Sequence, residues 1–145
     1  MQEPKELADA RRRLARAEAE IDTADGLANL QEGLELLESV AVDDAAGQYR
    51  AVARTLGTTY AARVHEGIRR DLDSGRNLPE PVLRHAFAVV RAFDGKGFDV
   101  PSSSRDLKIE LVRRLIDIYY EGYSAADKQL AYEELAKISG MSGES

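Results

Sequence analysis

The stretch DAAGQYRAVARTLGTTYAARVHEGIRRDLD, residues 44–73, contains no proline and repeats its apolar residues at helical intervals. Tyr49, Val52, Ala53, Leu56, Tyr60, Val64, Ile68 and Leu72 follow one another at steps of one, three and four, the period of one helix face. At 1.5 Å per residue the stretch predicts a helix of about 45 Å, long for a globular domain and therefore the expected spine of the fold. Asp43 or Asp44 is placed to cap its start, and Asp73-Ser74-Gly75 to end it. Gly57 and Gly67 lie inside it, each costing about 1 kcal/mol relative to alanine. Close packing on the Val/Phe-rich helix that follows is the expected compensation, and a local bend is the alternative.

Five further segments read as helices. Residues 5–22 carry Leu7, Leu14 and Ile21 at intervals of seven with Ala10, Ala17 and Ala24 between them, a short heptad seam for a neighbouring helix or a second subunit. Asp22 to Gly26 interrupt it, and Leu27, Leu30, Leu34 and Leu37 form the next stripe, ending near Ser39. Pro79-Glu80-Pro81 opens a fourth helix to about Phe93, whose apolar residues cover most of its circumference; it is expected to be the most buried, with Arg84, His85 and Arg91 outside. Ser103/Asp106 and Ser124/Asp127 resemble capping boxes for the last two helices. No alternating pattern suggests a strand. The expected class is all-α: five or six amphipathic helices packed as antiparallel hairpins, in a bundle or a short array. One domain over 1–145 is expected, with 1–24 as a protruding or oligomerising helix and 139–145 as a disordered tail.

Composition narrows the chemistry. The 145 residues contain no cysteine, which excludes disulfides, thiolate metal sites and cysteine nucleophiles. A net charge of −6 disfavours general attraction to nucleic acid or anionic membranes. Arg11, Arg12, Arg13 and Arg16 are interleaved with acids at helix-pairing distances and read as a solvated, ion-paired face. The longest strictly apolar run is Ala86 to Val90, and no signal-peptide pattern opens the chain, so a cytoplasmic location without a membrane span is expected.

A carboxylate-bridged metal site needs Glu-x-x-His pairs. His65 follows Ala62 and His85 follows Val82, while Arg69 stands where a zinc-protease helix needs its second histidine. Both histidines are therefore expected at surface or boundary positions, with no metal or other cofactor. A Ser-His-Asp set has no strand-turn-helix elbow to carry it, and no catalytic residue is assigned. The 94–105 segment is the best small-anion candidate: Lys96, Ser102, Ser103, Ser104 and Arg105 bring hydroxyls and positive charge to a helix start. It lacks the phosphate-loop ending. Tyr119, Tyr120, Tyr123 and Tyr132 gather near the last turn, where Arg113 and Arg114 offer cation–π contacts; core-edge packing is the plainer reading.

Leu56-Gly57-Thr58-Thr59-Tyr60 resembles the Leu-Gly-x-x-Tyr core of helix A in tetratricopeptide repeats. That resemblance implies helical-hairpin packing, a glycine for close helix approach and, by analogy, a peptide-binding groove. Ala53, Arg69 and Asp73 depart from the pattern at its aromatic, Ala and Phe positions, and no 34-residue period accompanies it. The expected function is a non-enzymatic interaction or scaffold module, binding a protein partner or itself as a homodimer. Leu7, Leu14, Ile21, Tyr119, Tyr120 and Tyr123 are its candidate interaction surface. The alternatives are an anion-binding protein or enzyme using 94–105 and, with least support, a nucleic-acid-binding regulator.

Overall fold

A computed structural model describes residues 2–138; the expected disordered tail at 139–145 lies outside the described residues. The described chain is all-α: α1 (Lys5–Ala19), α2 (Ala24–Val42), a 3-10 turn (Asp44–Ala46), α3 (Tyr49–Asp73), α4 (Glu80–Arg91), α5 (Ser104–Tyr119) and α6 (Ala125–Ile138). Among the described residues no helix is long and apolar enough to cross a membrane.

The α1–α2 turn is specified by local chemistry. Thr23 Oγ1 donates to the Glu20 carbonyl oxygen at 2.7 Å and accepts from the Gly26 N–H at 2.9 Å, so one side chain closes α1 and caps α2. A β-carbon at Gly26 would overlap the Glu20 carbonyl, which restricts that position to glycine. Further along, a β-carbon at Gly33 would lie 2.8 Å from Leu14 Cγ, a measure of how closely α1 and α2 approach.

That approach fills the heptad seam. Leu7, Ala10, Leu14 and Ala17 are buried with Leu30, Leu34 and Leu37 in one cluster, while Ile21 packs half-buried at its edge. The seam's partner is the neighbouring helix of the same chain. Leu7 and Leu14 are thus not an interaction surface, and α1 does not protrude: small alanines and Gly33 let α2 cover the stripe from Leu7 to Ala17.

The spine is shorter than its pattern predicts. Val40 and Ala41 are buried, so α2 continues past Ser39; Asp43 Oδ1 then accepts from Ala45 N–H at 2.9 Å and caps the 3-10 turn instead of the long helix. Gly47 reverses the chain at φ 56°, and α3 starts at Tyr49. Its 25 residues span about 38 Å. The residues it buries most fully ahead of Leu72, namely Ala53, Gly57, Ala61 and His65, recur every four positions.

The two glycines of α3 differ. A β-carbon at Gly57 would sit 2.5 Å from the ring of Phe98, which belongs to the α4–α5 connection, whereas Gly67 has nothing within 4 Å. Close packing accounts for Gly57, against the connection and not against α4; it does not account for Gly67.

The most buried helix is α2, which lies against α1, α3 and α4. α4 fully buries only Leu83, Val89 and Val90, and leaves Val82 46% exposed. Its apolar circumference exceeds the neighbours available to cover it. Three adjoining apolar clusters follow the chain: α1–α3 with Val89, Phe93 and Phe98; the end of α3 with α4 and α5; and α5 with α6.

Candidate functional site

α3 and α5 share a polar seam. His65 Nε2 lies 2.9 Å from Ser104 Oγ, Arg69 Nη1 lies 3.0 Å from Glu110 Oε1, and Arg114 Nη2 donates to the Leu72 carbonyl oxygen at 2.9 Å. The contacts ascend together along both helices, so α3 and α5 run in the same direction, as two antiparallel steps through α4 require. Arg114 also reaches Glu110 Oε2 at 3.3 Å, which places Glu110 between two guanidinium groups.

His65 is the centre of this seam and is 1% exposed, contrary to the boundary position its sequence neighbours suggest. Its Nδ1 lies 2.6 Å from the Ala61 carbonyl oxygen, an acceptor that requires the proton on Nδ1; Nε2 then accepts from the Ser104 hydroxyl. Phe93 packs against the ring at a centroid distance of 5.6 Å. Burial lowers the His65 pKa and the Lys108 ammonium lowers it further, against the opposing effects of the Ala61 carbonyl and Asp94. Lys108 and Asp94 pair at 2.7 Å beside it.

A hydroxyl hydrogen-bonded to an imidazole is one half of a nucleophile–base pair. Here Ser104 is 5% exposed, and neither of the two grooves described below reaches it or His65. Both polar groups satisfy each other inside the fold, which is what buried polar side chains require. Both imidazole nitrogens are occupied, and among the described residues no group of three or more His, Asp and Glu is placed to hold a metal.

Of the anion candidates, only Ser104 is fully buried. Ser104 faces His65, Ser102, Ser103 and Arg105 are exposed, and Lys96 is half-buried. Ser103 has helical angles and makes no capping bond, so that capping box is absent; the Ser124 counterpart does accept from Asp127 N–H at 3.2 Å. The segment instead seals α3, with Phe98 over Gly57.

The tyrosines divide into three settings. Tyr119 is 51% exposed and its hydroxyl donates to Glu80 at the start of α4, while Tyr120 and Tyr123 meet edge to face at 5.2 Å. Tyr132 lies under the Arg113 guanidinium, 4.1 Å from the ring centroid, in a groove of about 300 Å³ between α5 and α6. Arg114 serves the α3–α5 seam instead. Around the α5–α6 turn, Ile118, Tyr119 and Tyr123 are 41%, 51% and 57% exposed, and the Tyr119–Glu80 bond ties the end of α5 to the start of α4.

A larger open groove of about 930 Å³ runs along α1 and α2, lined by Arg12, Arg13 and Arg16 but also by Asp9, Glu32 and Glu35. Arg11 pairs with Glu3, Arg12 with Asp9 and Arg13 with Glu32, so the basic run is largely neutralised in place. His85, half-buried, donates from Nε2 to the Ile21 carbonyl oxygen at 2.7 Å and ties α4 to the α1–α2 turn.

The burial of His65 has a signal in the sequence: position 65 continues the fourfold spacing of Ala53, Gly57 and Ala61. Its partner Ser104 lies 39 residues away and carries no such signal. No protein-family model matches the chain, and neither a characterised protein nor a solved structure shows significant similarity to it. The tetratricopeptide resemblance therefore rests on Leu56 to Tyr60 alone.

Proposed function

We propose that the protein is a non-enzymatic helical interaction module that engages a protein partner through the face around the α5–α6 turn. The observation that carries this reading is the exposure of the large apolar side chains Ile118, Tyr119 and Tyr123 within six residues around the α5–α6 turn. Large apolar and aromatic side chains left in water on one face are characteristic of protein docking surfaces. Tyrosine suits such a face because its ring contributes apolar area and its hydroxyl tolerates water. The Leu56 to Tyr60 resemblance supports the class, since tetratricopeptide modules bind through packed helical hairpins. In this reading the module works in the cytoplasm, and self-association is the first case to test.

Sedimentation velocity over a concentration series compares the native chain with a Tyr119→Ser/Tyr123→Ser variant. The expected result is a concentration-dependent increase in sedimentation coefficient that the double variant loses. A native chain that stays monomeric, and whose specifically captured proteins bind the double variant equally well, refutes the reading.

A further inference from the structure

We propose that the His65–Ser104 contact is an acid-released latch that holds the α4–α5 connection, residues 94–103, and the first turn of α5 on the face of α3. The bond spans 2.9 Å between two buried side chains on helices that are otherwise joined further along by Arg69–Glu110 and Arg114–Leu72. It is the N-terminal end of that seam. Protonation changes Nε2 from acceptor to donor, so it then faces a hydroxyl whose own proton has lost its acceptor. The new charge is also enclosed, since His65 is 1% exposed and the Phe93 ring packs against it, tilted by 57°.

The charged groups that bear on His65 are Lys108 from α5 and Asp94 from the α4–α5 connection. They are bound to each other, so Asp94 is not free to neutralise an imidazolium. Arg69, one turn further along α3, is held by Glu110 and Asp73. His65 accordingly has its pKa lowered in the closed fold, chiefly by burial. The segment it holds turns at Gly95 and Gly97, with φ of 72° and 77°, and Phe98 is its apolar anchor over Gly57.

Linkage fixes the direction. A histidine with a lower pKa in the closed state than the ordinary 6.5 binds more protons when open. Opening therefore becomes more favourable by up to about tenfold for each pH unit below about 6.5, until the closed-state value is reached. At neutral pH and above His65 contributes no such dependence.

Amide hydrogen exchange on the full chain, corrected for intrinsic pH dependence, tests the latch together with imidazole titration by NMR. Between about pH 7.5 and about pH 5, amides of residues 94–107 are expected to lose protection, by up to about tenfold per pH unit below about 6.5, while those of α1 and α2 hold. His65→Gln is expected to abolish the pH dependence. Ser104→Ala, which removes the bond but not the titration, is expected to raise opening of 94–107 already at neutral pH. His65 titrating at or above its ordinary value overturns the proposal, as does protonation of His65 without added exchange in 94–107. Parallel opening of α1 and α2 overturns it too, and these wild-type readouts decide the matter if either variant fails to fold.

Discussion

Alanine at the two interior glycines of α3 separates a packed position from an unpacked one within a single helix. Glycine to alanine in a helix interior is worth about 1 kcal/mol of propensity, and Gly67 has nothing within 4 Å of the added methyl. Gly67→Ala is therefore expected to stabilise the protein by about 1 kcal/mol. At Gly57 the same methyl would stand 2.5 Å from Cγ and Cδ1 of Phe98 and 2.8 Å from Cδ2. Carbon pairs prefer about 3.5–4.0 Å, so the ring must retreat by about 1 Å. Overpacking of this kind costs about 1–3 kcal/mol, which offsets or exceeds the propensity gain. The two variants should differ by about 1–3 kcal/mol, with Gly57→Ala the less stable. Urea unfolding followed by far-ultraviolet circular dichroism measures both, and at this size each kcal/mol corresponds to about 2–4 °C in Tm. In a Phe98→Ala background the collision disappears, and Gly57→Ala should then stabilise as Gly67→Ala does. Equal stabilisation by both single alanines, with no coupling to Phe98, refutes the seating of Phe98 on α3.

Leu14→Ala removes a fully buried side chain between α1 and α2 and is expected to cost about 2–5 kcal/mol in urea unfolding; a surface role for this seam predicts almost no loss. Thr23→Ala deletes both bonds that close the α1–α2 turn, and a loss of about 1 kcal/mol in the same assay is expected. Deleting residues 1–22 is expected to expose Leu30, Leu34 and Leu37 and to produce aggregation or dye binding, where an accessory oligomerising helix would leave the remainder well folded. Inorganic phosphate is expected to leave Tm unchanged, because Ser104 is committed to His65 and Ser102, Ser103 and Arg105 are exposed to solvent.

How much of this was legible depends on how locally each feature is specified. The Leu7/Leu14 seam and the Leu30/Leu34/Leu37 stripe were readable because helix burial repeats every three to four residues. The Thr23 cap lies within a run of capping residues already visible between the first two stripes. Which surface would cover the seam was not readable, since a heptad stripe accepts any apolar partner; Gly33 facing Leu14 decides it. The tyrosine face was proposed from sequence as a cluster, and the structure redistributes it among Glu80, Arg113 and solvent.

Apolar periodicity, proline placement and glycine stops by themselves determine that this chain is helical, and nearly where each helix lies, because those signals act within a few residues. Only the tertiary structure decides that α2 and not α4 is the buried centre, that Gly57 is packed and Gly67 is not, and that His65 meets Ser104. Each of these depends on residues brought together across tens of positions, whose shared distance no local pattern encodes.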